Sequence, residues 1–374
     1  MTGKERILRA IRLEQPDRVP VFCQLSIGYV LLNTGIAPSE FLFTNSGYID
    51  GLIRAYSDCG FDAILINNYH DKNPANPQRI QRIEKTEAAE IIHWKDGRRT
   101  VCPFDDDPYE INVPEKPDIE TFSPDALDPE TVPPDHYFQP IIEIKQRVGG
   151  QMAVVGEIAC PFSCFMNTFG FEQALTALLT EPKKVREILQ RFTGMQLRNA
   201  LKQASLGIDL LNISSPYAGN GFISGTHYQE FVLPHIKLII DEMKLRDMPT
   251  MIHTCGSIMD RMDFMIETGV TGIECMDPPP LGDGKLAETK RKYGDRIFLK
   301  GNIDSVNVLL NGSIDQIRKN VIETMRAGAP GGGYILSTSC SVAPRVPQDN
   351  LKLLVEIACK YPGVSKIGKS EVPL

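Results

Sequence analysis

From about residue 150 onward, short apolar runs alternate with longer helical stretches, and this alternation restricts the fold more than any other feature of the chain. The pattern predicts strands over 152–158, 208–213, 249–254, 270–275, 296–300 and 333–337. Helices are predicted between and after them, over 171–205, 226–245, 257–268, 284–293, 313–327 and 348–360. The longest breaks and restarts at Glu181-Pro182, because proline suits the first turn of a helix and not its interior. Upstream, 18–24 and 62–67 read as two more strands around a helix over 48–59. Eight strands, each followed by a helix or a longer excursion, imply parallel pairing and an α/β (β/α)8 TIM barrel. A doubly wound open sheet is the structural competitor.

The 374 residues are read as one barrel domain, 1–374, with an insertion at about 69–137 between strands two and three. That insertion is rich in Pro, Asp and Glu and holds a hairpin-like stretch over 91–101, turning at Asp96-Gly97. It could cover the barrel mouth, but the sequence alone does not place it there. At the N-terminus, 1–15 reads as a short amphipathic helix carrying Ile7, Leu8, Ile11 and Leu13, without the continuous apolar core of a signal peptide. No run reaches the 18 or so apolar residues of a spanning helix, so no membrane is expected. A net charge of −7 argues against nucleic acid, which demands a concentrated basic footprint. Nine scattered cysteines are unlike a secreted disulfide framework and point to a cytoplasmic protein.

The sharpest local signal is Met251-Ile252-His253-Thr254-Cys255-Gly256, which closes a strand and opens a helix. Residues two apart on a strand share a face, so His253 and Cys255 point the same way at a strand end, where barrel active sites lie. An imidazole beside a thiolate suits Zn2+, but two ligands are too few and a bare His-x-Cys is a weak motif. Cys340, just past the last strand, qualifies as the third ligand, and Glu274 could fill the fourth position reversibly. Three protein ligands with an open fourth place is the arrangement of catalytic zinc. Cys275 would face the opposite side of its strand and is assigned to the core, as are Cys23, Cys59, Cys102 and Cys359. Cys160 and Cys164 belong to no paired motif, and His70, His93, His136, His227 and His235 read as solvated surface residues. Asn212, Ser214, Tyr217, Asp277 and Asn302 are placed to meet a ligand at the mouth; Asn302 could equally be a turn residue.

Taken together, Glu5-Arg6-Ile7-Leu8-Arg9-Ala10, Asp17-Arg18-Val19-Pro20, Gly301-Asn302-Ile303-Asp304 and Gly332-Gly333-Tyr334-Ile335 resemble the uroporphyrinogen decarboxylase superfamily over nearly the whole chain. The resemblance implies a (β/α)8 barrel. Decarboxylases of the superfamily hold a polycarboxylate tetrapyrrole with arginines after the first strand and an aspartate after the second. Here no Arg or Lys lies between Arg18 and Arg54, Asn67-Asn68 stands in the aspartate's place, and Cys340 stands where those enzymes carry histidine.

The other branch, zinc methyltransferases that work with corrinoids, is similar at His253, Cys255 and Cys340, with Glu274 as the carboxylate that can hold zinc before substrate arrives. It implies Zn2+ and a corrinoid (methylcobalamin, free or on a corrinoid protein) exchanging methyl with a thiol such as coenzyme M or with a folate. For a folate nitrogen, Asp277 or Tyr217 would give the proton; Asn212, Asn302 and Asn68 would touch substrate. Members are often homodimers. Tetrapyrrole decarboxylation and non-catalytic corrinoid or tetrapyrrole binding are the alternatives.

Overall fold

The structure is a computed structural model that describes residues 1–67, 73–111 and 115–361. Seven strands form one parallel sheet in simple sequential order: β1 (Ala63–Ile66), β2 (Ala153–Ala159), β3 (Leu210–Ser214), β4 (Thr250–Thr254), β5 (Gly272–Cys275), β6 (Phe298–Ile303) and β7 (Tyr334–Thr338). All seven are buried almost throughout. That explains why they read as unbroken apolar runs: parallel strands are covered on both faces.

Residues 18–24, the first expected strand, form no regular strand. They run extended, with isolated parallel bridges from Val21 to Leu336 and from Leu25 to Val342. Pro20 has no N–H to give, but its carbonyl accepts from Leu336 N at 2.9 Å, and Phe22 N donates to Leu336 O at 3.0 Å. On the other side Asp62 N donates to Val21 O at 2.8 Å. The segment therefore bridges β7 to the residue just before β1, and the parallel sheet curls.

Helices fill the connections. The N-terminal helix Gly3–Ile11 starts on a capping box between Thr2 and Glu5 and ends short of the expected residue 15. Asn45–Cys59 starts on the Thr44 hydroxyl and stops at Gly60 in a left-handed conformation. The long stretch after β2 divides as expected into Phe171–Thr180 and Pro182–Ser205. The stretch after β3 also divides, into Gly225–Phe231 and Leu233–Lys244, with Pro234 in the first turn of the second helix.

Between β1 and β2, four short strands over Ile80–Lys85, Ala89–Trp94, Arg99–Pro103 and Tyr109–Ile111 make a separate antiparallel sheet. It packs against the helix Pro38–Phe43 through the edge-to-face pair of Phe43 and Trp94, 5.1 Å apart, and through buried Glu90, which accepts from Ser39 N at 2.9 Å. Asp105 pairs with Arg345, so the loop between the third and fourth of these strands also touches the loop beyond β7. No helix among the described residues is long and apolar enough to cross a membrane.

Candidate metal centre

Three of the connections that leave the carboxyl ends of the sheet are tied to one another by their backbones. Cys160 N donates to Ser214 O and Ser215 N to His253 O, each at 2.8 Å, so the exits of β2, β3 and β4 are in step. Gly219, in the loop after β3, lies so close to Cys255 that a Cβ there would come within 2.4 Å of the Cys255 carbonyl oxygen. Arg261, fully buried, holds this loop by donating to Ala218 O at 2.6 Å and Ile223 O at 3.1 Å.

His253 is near the end of β4 and Cys255 one residue beyond it. His253 Nε2 is 3.2 Å from Cys255 Sγ, and Cys255 Sγ is 3.6 Å from Cys340 Sγ. The structure thus brings together the three residues singled out from the sequence. It adds a fourth, Cys275: one donor atom from each of His253, Cys255, Cys275 and Cys340 lies within 4.8 Å of the others. A tetrahedral zinc with sulfur at about 2.3 Å sets its ligand atoms roughly 3.7 Å apart. One imidazole nitrogen and three sulfurs at this spacing suit such an ion.

The assignment of Cys275 to the core is corrected here. Strict alternation along β5 would turn it away from Glu274, but the strand ends at Cys275, whose φ is +79°, and Met276 follows at +51°. Left-handed backbone at a non-glycine residue breaks the two-residue period. Both neighbours then reach the interior.

Glu274 lies on the far side of the imidazole. Its Oε1 is 2.7 Å from His253 Nδ1, its Oε2 pairs with Lys300, and Asn212 Nδ2 stands 3.5 Å from Oε1. A carboxylate on Nδ1 takes that N–H and leaves Nε2 facing the sulfurs. Burial alone would raise the Glu274 carboxyl, but Lys300 and His253 outweigh it and hold it near about 2. Burial would likewise lower the imidazole, yet the hydrogen bond and charge of Cys255, with Cys340 and Glu274, hold His253 well above its ordinary value. Among the thiols, hydrogen bonds from Cys255 and Cys275 hold Cys340 far below the usual range, whereas burial, Cys255 and Cys340 push Cys275 well above it. This is how a crowded set of acidic groups shares few protons.

Asp277 and Asn302 serve the turn after β5. Asp277 Oδ2 accepts from Gly256 N at 2.7 Å and from Cys275 Sγ at 3.4 Å, while Asn302 Nδ2 donates to Met276 O at 2.9 Å. Asn212 is fully buried; its Nδ2 donates to Glu157 Oε2 at 2.6 Å, and its Oδ1 has no partner among the described residues. Tyr217 sits at the rim, its hydroxyl donating to Asn167 Oδ1 at 3.1 Å, and its ring meets Phe171 edge-on at 5.1 Å and Phe222 at 5.7 Å. Asn68 and His70 lie outside the described residues.

Lys300 and Glu157 were not foreseen, although each is a charged residue inside an otherwise apolar strand, a signal of a buried pair. Cys160 is a buried helix cap whose sulfur accepts from Ser163 N, and Cys164 follows on that helix. Cys359 is exposed, not core, because it lies on the outer face near the end of helix Gln348–Lys360. His235 is half-buried against Thr193, and His93 pairs with Glu84; neither is freely solvated.

A curled parallel α/β sheet thus carries at its carboxyl ends an imidazole and three thiols that could hold a metal ion. The chain belongs to the uroporphyrinogen decarboxylase (URO-D) family, whose profile matches residues 110–361. Among its relatives, the methylcobamide:CoM methyltransferase MtbA of Methanosarcina acetivorans is 27% identical over 218 residues, 58% of this chain and 61% of that protein. The methylated-thiol–coenzyme M methyltransferase of Methanosarcina mazei is 25% identical over 59% of this chain and 56% of its own length. A chloroplastic uroporphyrinogen decarboxylase of Oryza sativa is 24% identical over 58% and 54%. The matched stretches thus span less than two thirds of these relatives. A solved structure of a methyltransferase from Methanosarcina mazei shares the fold, with a TM-score of 0.73 at 19% identity, covering 96% of this chain and 99% of that one.

Proposed function

We propose that this chain is a single (β/α)8 barrel domain, closed by residues 18–24, that acts as a zinc-dependent methyltransferase between a corrinoid and a thiol. The observation that carries the reading is the meeting of His253, Cys255 and Cys340 at the carboxyl ends of the sheet, in a family with methylcobamide:CoM methyltransferases among its relatives. Zinc bound there would strip the proton from an acceptor thiol yet leave its sulfur nucleophilic.

The chain's own residues supply the rest. Glu274 and Lys300 fix the imidazole so that Nε2 faces the sulfurs. Asp277 and Asn302 hold the loops that carry Cys255 and Cys275 in register. The rings of Tyr217, Phe171 and Phe222 form an apolar rim, with Phe171 and Phe222 exposed, where a flat corrin, free or on its carrier protein, would rest. In the transfer a sulfur–methyl bond forms, the cobalt–methyl bond breaks, and its electron pair stays on cobalt; the acceptor's proton is released.

Against a tetrapyrrole polycarboxylate stands the commitment of the lysine beside the centre: Lys300 is buried and paired with Glu274. The test is zinc content together with demethylation of methylcobalamin by 2-mercaptoethanesulfonate, followed by absorbance. One zinc per chain and thiol-dependent demethylation are expected, both lost in Cys340→Ala. A fully active, metal-free Cys340→Ala protein would sink the reading; decarboxylation of uroporphyrinogen by metal-free protein would replace it.

A further inference from the structure

We propose that Cys275 is the fourth donor of the centre, so that the resting site holds one imidazole and three thiolates and the carboxylate of Glu274 stays outside it. The inference rests on the zinc reading above and deepens it.

Two neighbours on a regular strand cannot both serve one interior site, since their side chains leave by opposite faces. Here the strand is stopped to let them do so. Cys275 and Met276 both take left-handed backbone, which a non-glycine residue keeps only where its surroundings hold it there. The holding bonds are present. Asn302 Nδ2 donates to Met276 O at 2.9 Å, Gly284 N donates to Asp277 O at 2.8 Å, and Asp277 Oδ2 accepts from Gly256 N at 2.7 Å. The last of these ties the turn of Cys275 to the loop of Cys255. The result is a Cys275 sulfur that lies in the group of four donors and is buried from solvent.

Glu274 meanwhile has its oxygens engaged. His253 Nδ1 and Asn212 Nδ2 lie by Oε1, and Lys300 takes Oε2. Swinging it onto the metal side of the imidazole would strip a buried lysine of its partner. Cys275, in contrast, has a second place to go. Its thiol donates to Asp277 Oδ2 at 3.4 Å, so a protonated Cys275 released from the centre is still satisfied. Three thiolates also make the donor set softer than one with a carboxylate and favour thiophilic ions.

Zinc K-edge X-ray absorption on the purified zinc-loaded protein tests this without an activity assay. Three sulfurs and one nitrogen are expected for wild type, two sulfurs for Cys275→Ser, and three again for Glu274→Gln. Should a variant fail to fold, the wild-type spectrum still decides, with the thiolate-to-metal charge-transfer intensity of the Co(II)-substituted wild type as a second count. Two sulfurs with an oxygen ligand in wild type, or a spectrum unchanged in Cys275→Ser, overturns the role of Cys275 while leaving the zinc reading standing. Absence of zinc from wild type overturns both.

Discussion

At the residue scale the outcome turns on which buried charges have partners. Lys300 and Glu274 are each about 2% exposed, and the lysine also lies over the Phe22 ring, 4.8 Å from its centroid. Removing one member of such a pair leaves the other buried and alone, which costs about 3–5 kcal/mol. Lys300→Met is expected to lower the urea midpoint accordingly, and adding Glu274→Gln to it should restore part of the loss. Equal losses in the single and double variants would show that the pair is not coupled. His235 gives a pH signature away from the centre. The single hydrogen of the Thr193 hydroxyl goes to Leu189 O at 2.7 Å, so His235 Nδ1, 2.8 Å away, must carry the proton of their bond. Burial lowers this imidazole to about 4. Its unfolded value is about 6.5, so the unfolded chain binds the extra proton between those two values. Its contribution is then complete above pH 6.5 and is lost as pH falls towards 4, an effect on the order of 2 kcal/mol after allowance for partial solvent access. His235→Asn should flatten that part of the stability–pH curve measured by urea titration. His253, Cys255 and Cys340 were legible in the sequence because period and position at strand ends, together with the family resemblance, single them out. The sequence hid Cys275, since nothing local announces a left-handed residue where a strand stops, and it put His235 on the surface because its partner is 42 residues away.

At the scale of elements, the parallel strands were legible because two-sided burial demands continuous apolar sequence, and the helix restart at Pro182 because proline leaves no other choice. The extended course of 18–24 was read as a strand; its pairing depends on β7 and on Asp62, which are remote in sequence. Residues 118–135 illustrate a packing effect that no local pattern shows. They lie along helix Pro182–Ser205, where Arg191 pairs with Asp125, Arg198 with Glu130, and Lys184 Nζ reaches Glu120 O at 2.7 Å. The side chains of these ion pairs are solvent-exposed, and each is worth at most about 1 kcal/mol. Gly194 matters more: a Cβ there would stand 2.5 Å from Pro129 Cβ and 2.8 Å from Pro129 O. The overlap is with backbone and a rigid ring, so Gly194→Ala should cost about 1–3 kcal/mol and lift the segment. Limited proteolysis separates the two contributions. Raising salt to about 0.5 M should change cleavage within 118–135 little, and Gly194→Ala should accelerate it severalfold; the reverse ranking would assign the attachment to the ion pairs.

Over the whole molecule, the two ends of the parallel sheet do different work. The carboxyl ends carry the imidazole and the thiols, and the amino ends carry a charge cluster around Asp62. Arg18 grips the Asp62 carboxylate with both guanidinium nitrogens, at 2.7 and 2.9 Å, Arg6 adds a contact at 3.2 Å, and Val21 N donates to it at 2.8 Å. Arg6 also pairs with Asp17, and the two hold each other in their charged forms; the Asp17 carboxyl is drawn far below the usual range by the Arg6 hydrogen bond. The residues near the N-terminus that resemble the family are therefore structural: Arg6, Asp17 and Arg18 seat the segment 18–24 between β7 and β1. In barrels of this kind the amino end governs stability and the carboxyl end governs chemistry. Asp62→Asn separates the two. It keeps the shape but removes the negative charge that faces two half-buried guanidinium groups, at a cost of about 3–5 kcal/mol. The donors of the centre sit at the opposite ends of the strands and share no partner with Asp62. The expected result is a large drop in the urea midpoint with the zinc stoichiometry of the folded protein, and its demethylation of methylcobalamin per bound zinc, at wild-type values. Loss of zinc at a temperature where the variant is fully folded would mean that residues 18–24 shape the mouth as well as close the sheet.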